Sequence, residues 1–397
     1  MNIIFIFDIY IKMNGIIYHS VDPSNSKSQY KESDTIDFIL ANDASRDMLL
    51  NSRYGVRIEG KIRVNSSAEV RQTDAVKTHF DHLLGMHGVV EQIATEFQNV
   101  GQVELINEYP RMHKAEQAAT KSLDDMNNAS QQVELKSCNE ESSREYCKGF
   151  FTLRAASDQS AITDGTDPLI RDMDFSFKPS ICLNHSSANA PFSKTGYVKI
   201  SINLARDASF LTGLGQTATS NYTLTEVRCC YYSVPANPDP PQAFMRRMLN
   251  IKTSLNSQHA NLSARVPAVC SAMFANFQPS ANENQIVTNN NQLHSLPALN
   301  YIQFAFADST SSYVNYKLED RGDQLHKFLE AMDGVSKGHN NVSAEKWKAN
   351  STFGLGLNFS EAVDLSASKF NLELDSSFDF STNPYVAYLY FKSEVSL

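Results

Sequence analysis

Apolar and polar residues alternate along most of this chain with a period of two. From Tyr54 to Asn65, Val56, Ile58, Gly60, Ile62 and Val64 alternate with Arg57, Glu59, Lys61 and Arg63, the pattern of a strand with one buried and one solvated face. A second stretch, Val89 to Ile106, predicts a hairpin: Val89, Glu91, Ile93, Thr95 and Phe97 run up to Asn99-Val100-Gly101, where Asn and Gly suit a tight reversal, and Gln102 to Ile106 returns. Val89, Ile93 and Phe97 also stand four apart, so a helix stays open there. The plainest strand is Tyr197 to Leu204, with Val198, Ile200, Ile202 and Leu204 on one face. Further strands are predicted at Gly149–Leu153, Phe175–Phe177 and Asn221–Ser233, then at Leu262–Ala275, Tyr301–Ala307, Phe353–Phe359, Phe370–Leu374 and Tyr385–Lys392, with a helix or strand at Ala243–Asn256. One helix is expected at Asp323–Met332, where Leu325, Phe328, Leu329 and Met332 share a stripe.

Between these strands lie three stretches of other character. Residues 20–50 are rich in Ser, Asp and Asn, so residues 1–50 are expected to form an N-terminal arm, with regular structure starting near Ile36 or Tyr54. Residues 112–148 turn polar and charged and read as a long inserted loop, with a short helical piece at His113–Leu123, of the kind that faces outward. Pro235, Pro238, Pro240 and Pro241 mark a stiff connector at 235–242. The chain thus divides into a first β-rich half at 51–234 and a second at 243–397, each keeping roughly 150 residues outside the arm and loop, enough for eight strands.

Composition narrows the functional classes. At 397 residues the chain exceeds one ordinary core, and 42% hydrophobic residues supply ample material for two. A net charge of −9 and a pI near 5.6 argue against a protein whose task is neutralising nucleic-acid phosphates. The only adjacent basic pair is Arg246-Arg247. Cys138, Cys147, Cys182, Cys229, Cys230 and Cys270 show neither CxxC pairs nor metal-finger spacing and read as reduced thiols, with Cys138 and Cys147 close enough in one loop to pair under oxidising conditions. Eight Asn-x-Ser/Thr sequons, at Asn65, Asn128, Asn184, Asn221, Asn261, Asn341, Asn350 and Asn358, are what a chain rich in Asn and Ser produces by chance. The opening MNIIFIFDIYIK lacks a basic leader and a cleavage site and is too short to span a bilayer, leaving Met13 as an alternative start or the segment as an arm that touches a partner or membrane.

Catalytic signatures are missing: there is no phosphate-binding Gly loop, GxSxG elbow, HExxH or paired-Cys zinc pattern, so no enzyme activity, metal or cofactor is expected. His79, Asp81, His82 and His87 are the one His/Asp cluster, and they read as loop residues approaching the strand at Val89. Arg321-Gly322-Asp323 is an integrin-type tripeptide, a candidate receptor motif, which a turn leading into an Asp-capped helix explains equally well. The aromatic load of 23 Phe and 16 Tyr reads as core and cross-strand pairs.

The hairpin carries a resemblance. Val89, Val90, Glu91 and Ile93, then Gly101-Gln102, then Val103-Glu104 resemble the early strand pair of the double jelly-roll major capsid proteins of tailless icosahedral DNA viruses, the lineage of adenovirus hexons, membrane-containing phages, large eukaryotic DNA viruses and virophages. FSFKPSICLN and SKTGYVKISINLARD are similar to later strands of the first barrel. The match departs from the pattern in extra residues between Ile93 and Gly101. The resemblance implies a mainly β fold of two consecutive antiparallel eight-stranded jelly rolls with few short helices. It implies a homotrimeric, pseudo-hexagonal capsomer that tiles an icosahedral shell, assembled in host cytoplasm or nucleus and located in the virion. Partners would be neighbouring capsomers, minor capsid or penton proteins and an internal membrane reached by the arm, without direct nucleic-acid contact. Three alternatives stay open: a single-barrel penton protein, a β-sandwich module that binds carbohydrate or a receptor, and a jelly-roll enzyme with convergent His and carboxylates.

Overall fold

The structure is a computed structural model, and it describes residues 15–40, 43–50, 54–65, 78–122, 133–136, 172–213, 221–285, 288–307, 316–333, 342, 344–348 and 352–397. The first half contains β1 (Ile17–Val21), β2 (Thr35–Leu40), β3 (Arg46–Met48), β4 (Arg57–Asn65), β5 (Thr78–Phe80), β6 (Val90–Phe97), β7 (Gly101–Asn107), helix α1 (Tyr109–Thr120), β8 (Asp172–Phe177), β9 (Ala190–Pro191), the turn α2 (Phe192–Thr195), β10 (Val198–Leu204), the turn α3 (Asp207–Phe210), β11 (Leu211–Gly213) and β12 (Asn221–Pro235). The second half contains β13 (Phe244–Leu255), β14 (His259–Ala264), β15 (Val269–Pro279), β16 (Leu299–Ala307), β17 (Tyr316–Leu318), α4 (Arg321–Ala331), α5 (Ala344–Lys348), β18 (Leu355–Asp364), β19 (Lys369–Ser376) and β20 (Tyr385–Ser396).

Two large sheets organise the first half. One runs β8-β4-β12-β3-β9, with β1 also paired to β12; the other runs β7-β6-β10-β2. In the second half β18-β15-β20-β13 lies against β14-β19-β16-β17, with Phe370 of β19 edge-on to Phe391 of β20 and Phe306 of β16 edge-on to Phe359 of β18. Apart from the small β5-β11 pair, the sheets are open and antiparallel within each half. One contact makes the two halves continuous: β7 and β13 meet side by side and in parallel, so that four strands from each half form a single eight-stranded sheet.

The alternation of the sequence becomes the burial pattern. Along β10, Val198, Ile200, Ile202 and Leu204 are buried while Lys199, Ser201 and Asn203 are half-exposed. Val90–Phe97 is a strand, and the helix reading fails there because β10 and β7 complete its hydrogen bonds on both sides. Gly101 closes the hairpin at φ +92°, a conformation a side chain disfavours. The stretch Ala243–Asn256 is strand β13. The single strand expected at Leu262–Ala275 is two, β14 and β15, broken around Pro267, which has no N–H to give a ladder. Strand 149–153 lies outside the described residues.

Two expectations are corrected. Residues 15–50 of the expected arm are largely built into the sheets: β1 pairs with β12, β2 with β10 and β3 with both β12 and β9. Tyr30, Ile36, Phe38 and Leu40 are core residues there. The strands are too short, and β1 too evenly half-exposed, to leave a long alternation in the sequence. Likewise residues 112–120 of the expected outward loop belong to α1, whose Met112, His113, Lys114, Ala115, Gln117, Ala118 and Ala119 are buried. Glu134, Leu135 and Lys136 are also buried, and the rest of 112–148 beyond residue 122 is described only at 133–136.

Candidate functional site

The residues that depart furthest from a plain β sandwich gather where the two halves join. The register pairs only Leu105 of β7 with Leu249 of β13, so side chains supply what the backbone ladder does not. Asn250 behaves like a second backbone: its Oδ1 accepts the Asn107 N–H at 3.0 Å and its Nδ2 donates to the Asn107 carbonyl at 3.0 Å. Glu104, 2% exposed, accepts the Met248 N–H at 2.9 Å on one oxygen and the Cys182 N–H at 2.7 Å on the other, and Arg247 donates to the Val103 carbonyl at 2.9 Å. Burial pushes the Glu104 carboxyl up to about 7, even though the two amide donors favour its ionised form.

Helix α1 is the second bond between the halves. Glu108, in the left-handed region at φ 52°, turns the chain out of β7, and Pro110 opens the helix where its missing N–H costs nothing. Arg111 then points into the second half. Its guanidinium donates to Gln278 of β15 and to the carbonyls of Asn290 and Gln292, and lies 4.5 Å over the Tyr388 ring of β20. One turn and a half later Glu116 pairs with Arg246 of β13 at 2.8 Å, and Arg246 reaches Asp333 at 3.3 Å beyond α4. Burial would raise the Glu116 carboxyl, but His185 and Arg246 outweigh it and hold it at about 2. A cavity of about 230 Å³ opens beside this network, lined in part by Glu108, Arg111, Lys252, Gln278, Glu283 and Tyr388. Lys252 bridges Glu108 at 3.2 Å and Glu283 at 2.8 Å across it.

The opposite side of α1 holds a buried polar chain within the first half. Tyr109 accepts the Ser180 N–H at 2.9 Å and its hydroxyl meets His87 Nδ1 at 2.7 Å; His87 Nε2 faces the Glu134 carboxylate at 3.2 Å. Lys136 Nζ pairs with Glu134 at 2.8 Å and donates to His113 Nε2 at 2.9 Å, and His113 Nδ1 faces Ser180 Oγ at 2.9 Å. The two imidazoles stack at 3.6 Å between centroids. Nearby, Lys114 pairs with Asp81, which burial would raise but which Lys114 and His82 hold at about 2.

Among the residues singled out in the sequence, Asp81 and His87 are buried in separate networks, and the His79 side chain lies outside the described residues. No cluster of three or more metal-ligating side chains occurs among the described residues. Arg321, Gly322 and Asp323 form the first turn of α4; Asp320, one residue earlier than the tripeptide, is the cap, accepting from the Gly322 and Asp323 N–H groups. Gly322 and Asp323 are exposed, and Arg321 is half-buried. Cys182, Cys229, Cys230 and Cys270 are free and buried, while Cys138 and Cys147 lie outside the described residues. Of the sequons, Asn221, Asn261 and Asn358 are exposed, whereas Asn184 donates inward to the Val56 and Pro179 carbonyls. The residues of the junction escaped sequence reading. Their only signal was an unusual density of Glu, Arg, His and Lys in a stretch, 104–117, flanked by apolar strands.

No protein-family profile matches the sequence, and no curated protein matches it. Solved structures do. The major capsid protein of Faustovirus superposes with a TM-score of 0.55 over 100% of this chain and 92% of that one, at 10% identity. The PBCV-1 virus capsid gives 0.55 over 98% and 96%, at 8% identity. The chain has the viral major capsid protein fold. The Sputnik virophage structure gives 0.54 over 96% of this chain and 86% of that one, at 11% identity. The capsid fold is matched across both halves, so the β7–β13 junction and α1 lie inside the region shared with these shells.

Proposed function

We propose that this chain is a major capsid protein, a structural component of the virion, and that three copies associate into a pseudo-hexagonal capsomer. The observation that carries the reading is the pairing of two sandwiches into one unit through β7 and β13, shared with capsid structures over nearly the full length of both chains. In this reading each half is a jelly roll, with domains at 51–234 and 243–397 on either side of the connector at 235–242, and six jelly rolls ring the trimer. The second half fits most directly: its eight strands form two facing four-stranded sheets.

The junction gives the reading its mechanics. A shell element must transmit load between its two halves without hinging, and domains in one chain move relative to each other unless the interface is extensive. Here a shared sheet, Glu104, Asn250 and the Arg111 and Glu116 networks fix the angle between the halves. Neighbouring capsomers and minor capsid proteins are the partners, and the acidic surface suits a shell that does not hold its genome directly. Native mass spectrometry of the purified chain tests the proposal. A species of three times the 44.3 kDa chain is expected. A stable monomer at assembly concentrations refutes it, and a pentamer replaces it with a penton role.

A further inference from the structure

We propose that residues 133–136 form an acid-released clasp: docked on the first half at neutral pH and expelled when the histidines beneath them take up protons. The clasp is a built site. The Glu134 carbonyl accepts the Met86 N–H at 2.9 Å, and Gly85, at φ +51°, leaves the room, since a Cβ there would meet that carbonyl oxygen at 2.2 Å. Leu135 is buried in the hydrophobic core, itself at φ 57°, and Lys136 is 1% exposed.

The hydrogen-bond partners fix the protonation state that the docked form requires. An ammonium only donates, so Lys136 Nζ against His113 Nε2 makes that nitrogen an acceptor and puts the His113 proton on Nδ1, toward Ser180 Oγ. A carboxylate only accepts, so His87 carries its proton on Nε2, toward Glu134, and its Nδ1 accepts from Tyr109. Both rings are therefore neutral. A second proton on His113 would confront the Lys136 ammonium across a hydrogen-bond distance, and one on His87 would break its bond from Tyr109 and place a second cation within the same buried cluster.

Every element around the pair contributes charge. From α1 come Tyr109, Glu116 and Lys121, from the clasp Glu134 and Lys136, and from the segment after β8 Lys178 and His185. Burial first, and Lys136 next, push His87 down to about 4; burial, then the charges of His87 and Lys136, push His113 well below its ordinary value. Glu134, which burial would raise, is held low by Lys136 and His87. The docked form thus binds fewer protons than the released form as pH falls below 6.5, so release is favoured by acid.

Hydrogen exchange of the Met86 amide, which donates to Glu134, reads the clasp directly in the full chain. With His87 moving from about 4 when docked to 6.5 when released, the opening equilibrium rises about 70-fold between pH 7.5 and 4.5 from this ring alone, and His113 adds to it. The expected result is at least that acceleration, after correction for intrinsic exchange, with amides of β12 and β20 still protected. Gly85→Ala is expected to show the open-clasp rate already at pH 7.5, and Lys136→Met a much smaller acid response. A Met86 rate that changes less than threefold, or one that rises only together with β12 and β20, overturns the proposal. The device belongs to the single chain, so its failure leaves the mass measurement above untouched.

Discussion

Replacing Arg111 by methionine should loosen the union of the two halves more than any other single change in α1. The guanidinium is 3% exposed and serves three acceptors of the second half, Gln278 Oε1 and the Asn290 and Gln292 carbonyls, while lying over Tyr388. Removing it leaves those buried acceptors unpaired at about 1 kcal/mol each or more. The lost stacking of charge on a desolvated ring costs about 1–2 kcal/mol. Methionine keeps the volume and regains about 1 kcal/mol of contact with the Tyr388 ring. The net loss is about 3–4 kcal/mol, which at about 2–4 °C per kcal/mol for cooperative units of this size is a fall in Tm near 10 °C. Differential scanning calorimetry should also show the single transition dividing in two as the halves uncouple. Arg111→Lys should recover less than half of the loss, because an ammonium cannot span three acceptors in the plane of the fork. A fall of under 2 °C for Arg111→Met with one undivided transition would refute the claim that this residue couples the halves.

Two further outcomes follow from the same geometry. Glu104 binds its proton more tightly when folded, about 7 against 4.5, so its contribution is fully present below pH 4.5 and is lost as pH rises through 7, about 3 kcal/mol in all. Urea unfolding at pH 5 and 8 should therefore show a smaller difference for Glu104→Gln than for the parent, and equal differences would contradict the assignment. Gly354 precedes β18 beneath α4, where a Cβ would come within 2.3 Å of the Phe328 ring. Gly354→Ala should destabilise by about 1–3 kcal/mol, with Phe328→Leu in the same chain restoring part of it; strictly additive losses would show that the two sites do not touch.

Strands were legible where burial is one-sided and long. Val198 to Leu204 and Tyr385 to Lys392 could be read residue by residue because a sheet with one wet face writes its period into the sequence. The helix at Arg321–Ala331 was legible for the corresponding reason, though its cap proved to be Asp320. Legibility ended where neighbours came from far along the chain. Residues 112–120 looked like a solvated loop because Arg111, His113, Lys114 and Glu116 are charged or polar, yet each is buried against a partner 33 to 181 residues away. Residues 15–50 looked like an arm because β1 and β3 are too short to establish a period, and their burial comes from β12 nearly two hundred residues later.

By itself, then, the order of apolar and polar residues determined that this is a mainly β chain in two halves divided by a proline-rich connector, since alternation and the missing N–H of proline are local properties. Only the tertiary structure decided that the halves share one sheet through β7 and β13, and that the charges of α1 are its fastening rather than its exposed face. The reason is physical: a buried charge is tolerated only beside a partner, and the partners are brought together by the fold, across separations that no local pattern encodes.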